Sequence, residues 1–283
     1  MTTAKESEQH FKPAHLTDVP AFPLVAIKVL QATSRERAAL TELSVLISSD
    51  AALSAGILRM ANSALFNIRI EITGVLQAIH LLGLERVKGV VVTVAMKSYL
   101  GASVEVPVLR DCWRHSLACA VVAEEFAKAS LMEADTVYTA GLMHDVGRLG
   151  LIAAYPKEYA DFLLKEENSP CDALAAERDV FGVDHCKAGQ LLVSSWNLPQ
   201  IFSEVTLRHH DEPGIGESAI VSIVRRSCRM ADTLGFSVVH PIHPFSYEDI
   251  LENLPDRERK QFPKESSELM HHIAAKINSI ESV

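Results

Sequence analysis

The sequence predicts an all-α protein, and two observations support this fold class. Apolar residues recur at spacings of three and four along most of the chain, whereas the apolar–polar alternation typical of strands is scarce. The composition, with 48% hydrophobic and 22% charged residues, is that of an ordinary globular protein. A chain of 283 residues can bury a substantial core in one large domain or in two packed halves.

The first part of the chain contains five predicted helices. They are LVAIKVLQATS after Pro23, LTELSVLISSD, DAALSAGILRMANS, GVLQAIHLLG and ERVKGVVVTVAMKSYLG. Ser34 opens a turn after the first helix. Asp50 is the predicted N-cap of the third helix, because a carboxylate accepts hydrogen bonds from the free N–H groups at a helix start. The fifth segment is so rich in valine that a strand is the alternative there.

The helical pattern breaks at GASVEVP, residues 101–107. We therefore predict an N-terminal helical subdomain over residues 16–105 and a second helical subdomain, which includes the C-terminal helices, over residues 106–283. The second subdomain begins with two long amphipathic helices, VLRDCWRHSLACAVVAEEFAKAS and DTVYTAGLMHDVGRLGLIAAY. Two shorter helices within 157–182 follow, and then DHCKAGQLLVSSWNLP, QIFSEVTLRHH, SAIVSIVRRSCRMADTLGF, SYEDILENL and SSELMHHIAAKINSI.

Charge and composition argue against several classes of protein. A net charge of −9 and the lack of a basic stripe oppose binding to nucleic acid or to anionic membranes. The longest apolar runs, such as GVVVTVAM, are shorter than the roughly 20 residues that cross a bilayer. The first fifteen residues lack the apolar core of a secretory signal, so we expect a cytoplasmic protein. The five cysteines form no Cys-x-x-Cys pair and are expected to be reduced and buried.

His144 and Asp145 lie side by side in the apolar segment GLMHDVGRLGLI. Burying an imidazole and a carboxylate is costly unless other groups satisfy them. Similar donors occur in the neighbouring predicted helices, with no cysteine at a matching position: Asp111, His115, His185, His209, His210 and Asp232. Each alone fits an ordinary core histidine or an ion-paired aspartate. Taken together, they predict a metal site.

This donor set suits iron, manganese, zinc or magnesium ions, with a carboxylate that bridges two centres. Two cations lower the pKa of a bound water and neutralise a phosphoryl group, so phosphate-ester hydrolysis is the expected chemistry. Arg148 lies one turn beyond Asp145, where it could face a substrate phosphate. Asp145 and Arg148 are therefore the candidate catalytic residues. His271 and His272 are excluded, because the apolar stripe of their helix leaves them on the solvent side.

The segment ISSDAALSAGILRMANSALFNIRIEITGVLQAIHLLGLERVKGVVV resembles the HDOD domain, a helical bacterial signalling module related to the HD and HD-GYP phosphohydrolases. The resemblance runs from about Leu16 to Asp232. It rests on Asp50 with Leu53, on Ala-Asn-Ser at 61–63 and on Ala-Ile-His-Leu-Leu-Gly at 78–83. It implies an HD-domain-like helical fold with an N-terminal helical subdomain. Within the second motif, Asn62 and Ser63 are expected to cap or turn a helix.

The resemblance also implies a ligand set. The metal ligands of the HD-GYP pattern match His115, His144, Asp145, His185, His209, His210 and Asp232. Asp111 stands where that pattern has a glutamate, and Arg148 where it has a lysine. Many HDOD domains have lost these ligands and are regulatory, whereas this chain retains them. The Gly-Tyr-Pro element is absent, since DEPGIGESA follows His210, and this argues against a cyclic di-GMP phosphodiesterase.

Two function classes remain open from the sequence. The first is a signalling protein with one to two divalent transition-metal ions per chain, iron or manganese before zinc or magnesium, and phosphohydrolase activity on a nucleotide or other phosphate ester. The second is a non-catalytic module that senses a ligand or binds a signalling protein. Neither nucleic acid nor a membrane is an expected partner.

Overall fold

The computed structural model describes residues 19–32, 37–167 and 169–282, and these residues form sixteen α-helices and no β-strand. The helices are α1 (Leu24–Gln31), α2 (Arg37–Ser48), α3 (Ala51–Ala61), α4 (Val75–Leu82), α5 (Leu84–Leu100), α6 (Pro107–Ala129), α7 (Ala134–Met143), α8 (Val146–Ala154), α9 (Pro156–Glu166), α10 (Ala173–Phe181), α11 (His185–Ser195), α12 (Gln200–Arg208), α13 (Ala219–Ala231), α14 (Tyr247–Glu252), α15 (Asp256–Arg259) and α16 (Ser266–Glu281). The predicted all-α class is confirmed. The predicted turn at Ser34 and the proposed domain start at residue 16 lie outside the described residues.

Helix α6 forms the centre of the fold and is buried over most of its length. Helices α7, α13 and α16 pack along it. One continuous cluster of buried apolar residues extends from α1 to α16. The predicted boundary between residues 105 and 106 falls after a 3₁₀ turn, Gly101–Glu105, and directly before α6. The division into two subdomains stays a prediction.

The valine-rich segment forms helix α5, not the alternative strand, because it is buried against α1, α3, α4 and α7. Together with the 3₁₀ turn that follows, Leu84–Glu105 spans 22 residues and is long and apolar enough to cross a membrane. Its uninterrupted apolar run, GVVVTVAM, is much shorter than this span. Half of its most apolar window is buried inside the protein, and its packing partners are those of a core helix.

Polar side chains fix the helix ends in the first part of the chain. The Asp50 carboxylate accepts a hydrogen bond of 2.9 Å from the Leu53 N–H, so the predicted N-cap is confirmed. The Asn62 side chain accepts from the Ile72 N–H at 2.7 Å and donates to the Ile72 carbonyl at 2.8 Å. The Ser63 hydroxyl donates to a carbonyl of the preceding turn. The structural role predicted for Asn62 and Ser63 is therefore confirmed.

The long helix predicted for DTVYTAGLMHDVGRLGLIAAY is wrong, because the chain breaks at His144 and Asp145 into α7 and α8. Apolar residues continue on both sides of the break, so the spacing pattern does not reveal it. Asp145 has φ −100° and ψ 20°, in the sparsely populated bridge region. Its carboxylate caps none of the α8 N–H groups. The break therefore leaves this carboxylate available for contacts inside the protein.

Two glycines allow the helices around this break to pack closely. A Cβ atom at Gly147 would lie 2.0 Å from the His185 carbonyl oxygen and 2.3 Å from the Gly189 nitrogen. A Cβ atom at Gly141 would lie 3.0 Å from the Ala120 Cα atom. Only residues without a side chain let α8 approach α11, and α7 approach α6, at these distances.

We predict that Gly147→Ala lowers the free energy of unfolding by about 1–3 kcal/mol or more. The added Cβ atom would clash with backbone atoms of α11, which cannot rotate away as a side chain can. Chemical denaturation measures the loss. The control is Gly74→Ala, where no atom lies within 4 Å and the backbone is extended, and the expected change is about 1 kcal/mol or less. Equal effects of the two substitutions would contradict the close packing of α8 on α11.

Candidate metal centre

Five segments of the chain bring seven of the eight predicted ligands to one region. These ligands are His115 in the middle of α6, His144 and Asp145 between α7 and α8, His185 as the first residue of α11, His209 and His210 directly after α12, and Asp232 directly after α13. His115, His144, Asp145, His185 and His209 are each at most 4% exposed. The sequence separates them by up to 94 positions, so their convergence is a property of the fold.

The Asp145 carboxylate lies at the centre of the cluster. Its Oδ1 atom is 3.3 Å from the His185 Nε2 atom and 3.4 Å from the His209 Nε2 atom. Its Oδ2 atom is 3.8 Å from the His144 Nε2 atom and 3.9 Å from the His115 Nε2 atom. The same carboxylate therefore faces two pairs of imidazoles, one with each oxygen.

Backbone carbonyls hold three of the rings in one orientation. The Nδ1 atom of His144 is 2.7 Å from the Gly141 oxygen, and that of His115 is 2.9 Å from the Phe236 oxygen. The Nδ1 atom of His209 contacts two carbonyls of its own helix at 3.0 and 3.1 Å. An Nδ1–H that donates outward leaves the Nε2 lone pair directed inward, which is the usual arrangement of metal-binding histidines.

Glu177 of α10 supports the fourth ring, and the sequence analysis missed it. Its Oε2 atom is 2.7 Å from both the His185 Nδ1 atom and the His185 backbone nitrogen, and its Oε1 atom accepts from the Tyr159 hydroxyl at 2.5 Å. Glu177 is fully buried. A carboxylate behind a histidine is a frequent outer partner of a metal ligand, since it fixes the ring and raises its basicity.

Arg148 lies inside the protein and is 3% exposed. Its Nε–H donates to the Asp145 Oδ2 atom at 2.8 Å, and one terminal nitrogen donates to the Tyr159 hydroxyl at 3.1 Å. The other terminal nitrogen lies 3.2–3.4 Å from both ring nitrogens of His185. The guanidinium is thus engaged with the cluster, and the predicted contact with a substrate phosphate would require it to leave these partners.

The other predicted ligands differ in their placement. Asp232 is half-buried, and its Oδ1 atom lies 3.5 Å from the His115 Nδ1 atom. His210 is exposed beside the cluster, with its ring 4.3 Å from that of His209. Asp111 does not join them. It is exposed near the start of α6 and lines a separate depression with Leu163, so the structure does not place it as a ligand.

Cysteines also approach the cluster, contrary to the expectation from the sequence. The Cys228 Sγ atom lies 3.6 Å from the His115 Nε2 atom, and the Cys186 Sγ atom lies 4.0 Å from the His209 Nε2 atom. Both thiols are buried and free of disulfides, as predicted. Among the described residues, groups whose donor atoms lie within 4.8 Å of one another are His115–His144–Cys228, His144–Asp145–His209 and His185–Cys186–His209–His210.

Burial and neighbouring charges set the protonation of these groups. Burial raises the pKa of Asp145, but Arg148 and the surrounding imidazoles outweigh it and hold that pKa well below its usual value. Burial lowers the pKa of His144 well below its usual value, so this ring is neutral. Burial also lowers the pKa of His209, but Cys186 and Asp145 outweigh it and raise the pKa to about 9. An ionised carboxylate and neutral imidazole are the forms that bind metal.

One buried atom lacks a partner in this arrangement. The Asp145 Oδ1 atom makes no hydrogen bond of acceptable geometry, although imidazole nitrogens surround it. A buried carboxylate oxygen without a well-aligned donor is costly, and a cation among the same nitrogens would satisfy it. The donor set therefore fits a divalent metal.

A surface depression of about 480 Å³ opens next to the cluster. The depression is lined by His115, Arg148, His210, Cys228 and Asp232, and by Val238, Pro241 and Ile242 of the segment 237–243. Its volume lies within the range of small-molecule sites, roughly 300–1,000 Å³. A ligand in this depression would contact polar groups on one side and apolar side chains on the other.

The model of the HDOD domain family matches residues 19–212. This chain belongs to the HDOD family. The match includes the N-terminal helices and the cluster up to His210, and it ends before Asp232. Membership confirms the resemblance that the sequence motifs indicated.

Solved structures share the fold. An HDOD domain protein of Geobacter sulfurreducens is 24% identical, with a TM-score of 0.71 over 93% of this chain and 91% of that chain. A candidate metal-dependent phosphohydrolase of Shewanella amazonensis SB2B is 22% identical, with a TM-score of 0.56 over 92% of this chain and 94% of that chain. An uncharacterized protein of Treponema pallidum (strain Nichols) is 25% identical over 203 residues, which are 70% of this chain and 39% of that protein. The chain thus spans well under half the length of this curated relative.

We predict that metal affinity rises as the pH is raised from 6.5 to about 9. The pKa of His209 is raised to about 9, so below that pH a metal that binds this imidazole must displace a proton. The effect should be up to about tenfold per pH unit for one displaced proton. Calorimetric titration with Mn²⁺ at several pH values measures it. His271→Gln, which removes an exposed histidine of α16, should not change the slope. An affinity independent of pH would contradict a protonated His209.

We also predict that Glu177→Gln weakens metal binding by roughly 10–100-fold, because His185 loses the carboxylate that orients and polarises its ring. The measurement is the metal affinity of the folded variant. Asp179→Asn removes an exposed carboxylate from the same helix and is the matched control, for which we expect the wild-type affinity. A Glu177→Gln protein that binds metal as tightly as the control would show that Glu177 is only a packing residue.

Proposed function

We propose that this protein is a bacterial signal-transduction protein of the HDOD family that retains an HD-type, dinuclear metal centre and hydrolyses a nucleotide or another phosphate ester. Iron or manganese suits the imidazole and carboxylate donors, and zinc or magnesium is the alternative. His115, His144, Asp145, His185, His209, His210 and Asp232 are the proposed ligands. The name of the Shewanella neighbour supports the reaction class, and the geometry of this chain supports the metal.

The observation that carries this proposal is the environment of Asp145. A carboxylate buried in the core, with one oxygen unpartnered and four imidazole Nε2 atoms within 3.9 Å of its two oxygens, has no evident structural purpose. Buried polar groups in stable proteins are normally satisfied. A cluster of this kind is expected where a cation is bound.

The bound metals would polarise a phosphoryl group and lower the pKa of a water molecule. The chain's own residues then have separate tasks. Asp145 bridges the two imidazole groups, and Arg148 holds its Oδ2 atom in place. Glu177 and the backbone carbonyls contact the Nδ1 atoms and so fix the orientation of the imidazole rings. The depression beside Asp232 and His210 admits the ester, and its apolar wall contacts the part of the substrate that does not react.

A second candidate function is a non-catalytic module that senses a ligand or binds a signalling partner through the same domain. The burial of Arg148 favours it, because the guanidinium already bonds Asp145 and Tyr159 inside the protein. The absence of a Gly-Tyr-Pro element also favours it. In that case the metal would have a structural or regulatory role. For either function we propose a cytoplasmic location.

We predict that the protein purified without a histidine tag contains one to two transition-metal ions per chain, and that His144→Ala removes them together with hydrolysis of bis(p-nitrophenyl) phosphate. Mass spectrometry of the metals and absorbance of p-nitrophenol are the measurements. His271→Ala, at an exposed position, is the control and should keep both properties.

The outcomes distinguish the two functions. Metal that depends on His144, with turnover that depends on the same residue, supports the phosphohydrolase. Metal without turnover supports the non-catalytic module. A wild-type protein that neither contains metal nor binds added metal would contradict both the centre and the reaction.

A further inference from the structure

We infer that Cys228 is a thiolate ligand of the metal centre, together with His115 and His144, and that this site selects zinc over manganese and magnesium. The inference rests on the proposed metal centre and, at this site, favours zinc, the alternative named above, over manganese. No thiol belongs to the HD-GYP ligand pattern that the sequence matches. The observation is a buried cysteine that contacts an inward-facing imidazole nitrogen.

The distances fit a common cation. Tetrahedral bonds of about 2.0–2.3 Å to nitrogen and sulfur place neighbouring donors roughly 3.3–3.8 Å apart. The His115 Nε2 atom is 3.3 Å from the His144 Nε2 atom and 3.6 Å from the Cys228 Sγ atom. All three donors lie within 4.8 Å of one another. The Asp145 Oδ2 atom, which also accepts from Arg148, lies slightly farther away, at 3.8–3.9 Å from both imidazole nitrogens, and is the candidate fourth donor.

The position of Cys228 in α13 is equally suited to this role. Asp232 follows it by four residues, so this segment brings a thiol to the inward Nε2 atom of His115 and a carboxylate to its outward Nδ1 atom. Cys228 also lines the depression beside the cluster, from which a metal can reach it. The outward Nδ1 contact of His115 with the Phe236 carbonyl leaves Nε2 as the nitrogen that faces the thiol.

The chemical consequence concerns the choice of metal. Thiolates and imidazoles favour zinc, whereas carboxylates, carbonyls and water suit magnesium and manganese. Two imidazoles, one thiolate and one carboxylate form a donor set typical of zinc. A site built without the thiol would instead resemble the iron or manganese site that the sequence analysis expected.

The experiment is a cobalt titration of the metal-free, full-length protein, because Co²⁺ takes the place of zinc and gives a near-ultraviolet charge-transfer band when sulfur is a ligand. Cys228→Ala should lose intensity in this band and should bind Zn²⁺ at least roughly 10–100-fold more weakly, with little change for Mn²⁺. Cys228→Ser, which keeps the side-chain size, tests the same loss if the alanine variant is unstable.

The control is Cys119→Ala. Cys119 is also buried between α6 and α13, but among the described residues its thiol contacts the Val224 carbonyl and no imidazole. The Cys119→Ala protein should show the wild-type cobalt band and the wild-type affinities for Zn²⁺ and Mn²⁺. A band that Cys228→Ala and Cys228→Ser leave at full intensity would overturn the inference while the metal centre stands. A wild-type protein that binds neither Co²⁺ nor Zn²⁺ would overturn the centre itself.

Discussion

The structure depends on one buried carboxylate, that of Asp145. An ionised carboxylate in a protein core costs several kcal/mol unless charges and donors compensate it. Arg148 compensates one oxygen at 2.8 Å, and the other has only imidazole nitrogens around it. The break between α7 and α8 turns this side chain inward, and Gly147 brings α8 close enough to α11 for His185 to reach it. The backbone break places the Asp145 carboxylate in the core, and Arg148 and the imidazoles surround it there.

A second layer of contacts makes the cluster rigid before any metal binds. Glu177, Tyr159 and Arg148 form a closed set of buried hydrogen bonds behind His185 and Asp145. Such a network strengthens each bond in a medium of low dielectric constant, and every member must be satisfied for it to be stable. Because the rings are already oriented, a metal would not need to order them, and binding would lose less conformational entropy.

The sequence could reveal the fold class and most of the cluster, because polar residues in apolar helices are conspicuous. It could not reveal Glu177, which stands beside Arg178 and Asp179 in a helix of nine residues and looks like part of a solvated face. The available signal in the sequence was the apolar Phe181, four residues later and hence on the same face of the helix as Glu177. The exposed position of Asp111 could not be predicted for a related reason: a spacing of four from His115 gives the side of the helix but not where the helix reaches the surface.

The N-terminal helices meet the metal centre through α7. Helix α5 packs on α7, where Gly89 lies against Tyr138 and Arg86 pairs with Asp135 at 2.8 Å. The other end of α7 carries His144. Metal binding at the centre and binding of a partner to α5 would therefore both act on α7. A ligand changes the equilibrium between two conformational states only when it interacts differently with each of them. For the proposed signalling role, α7 is therefore a candidate link between the N-terminal helices and the centre, and α8, which α5 also contacts, is another.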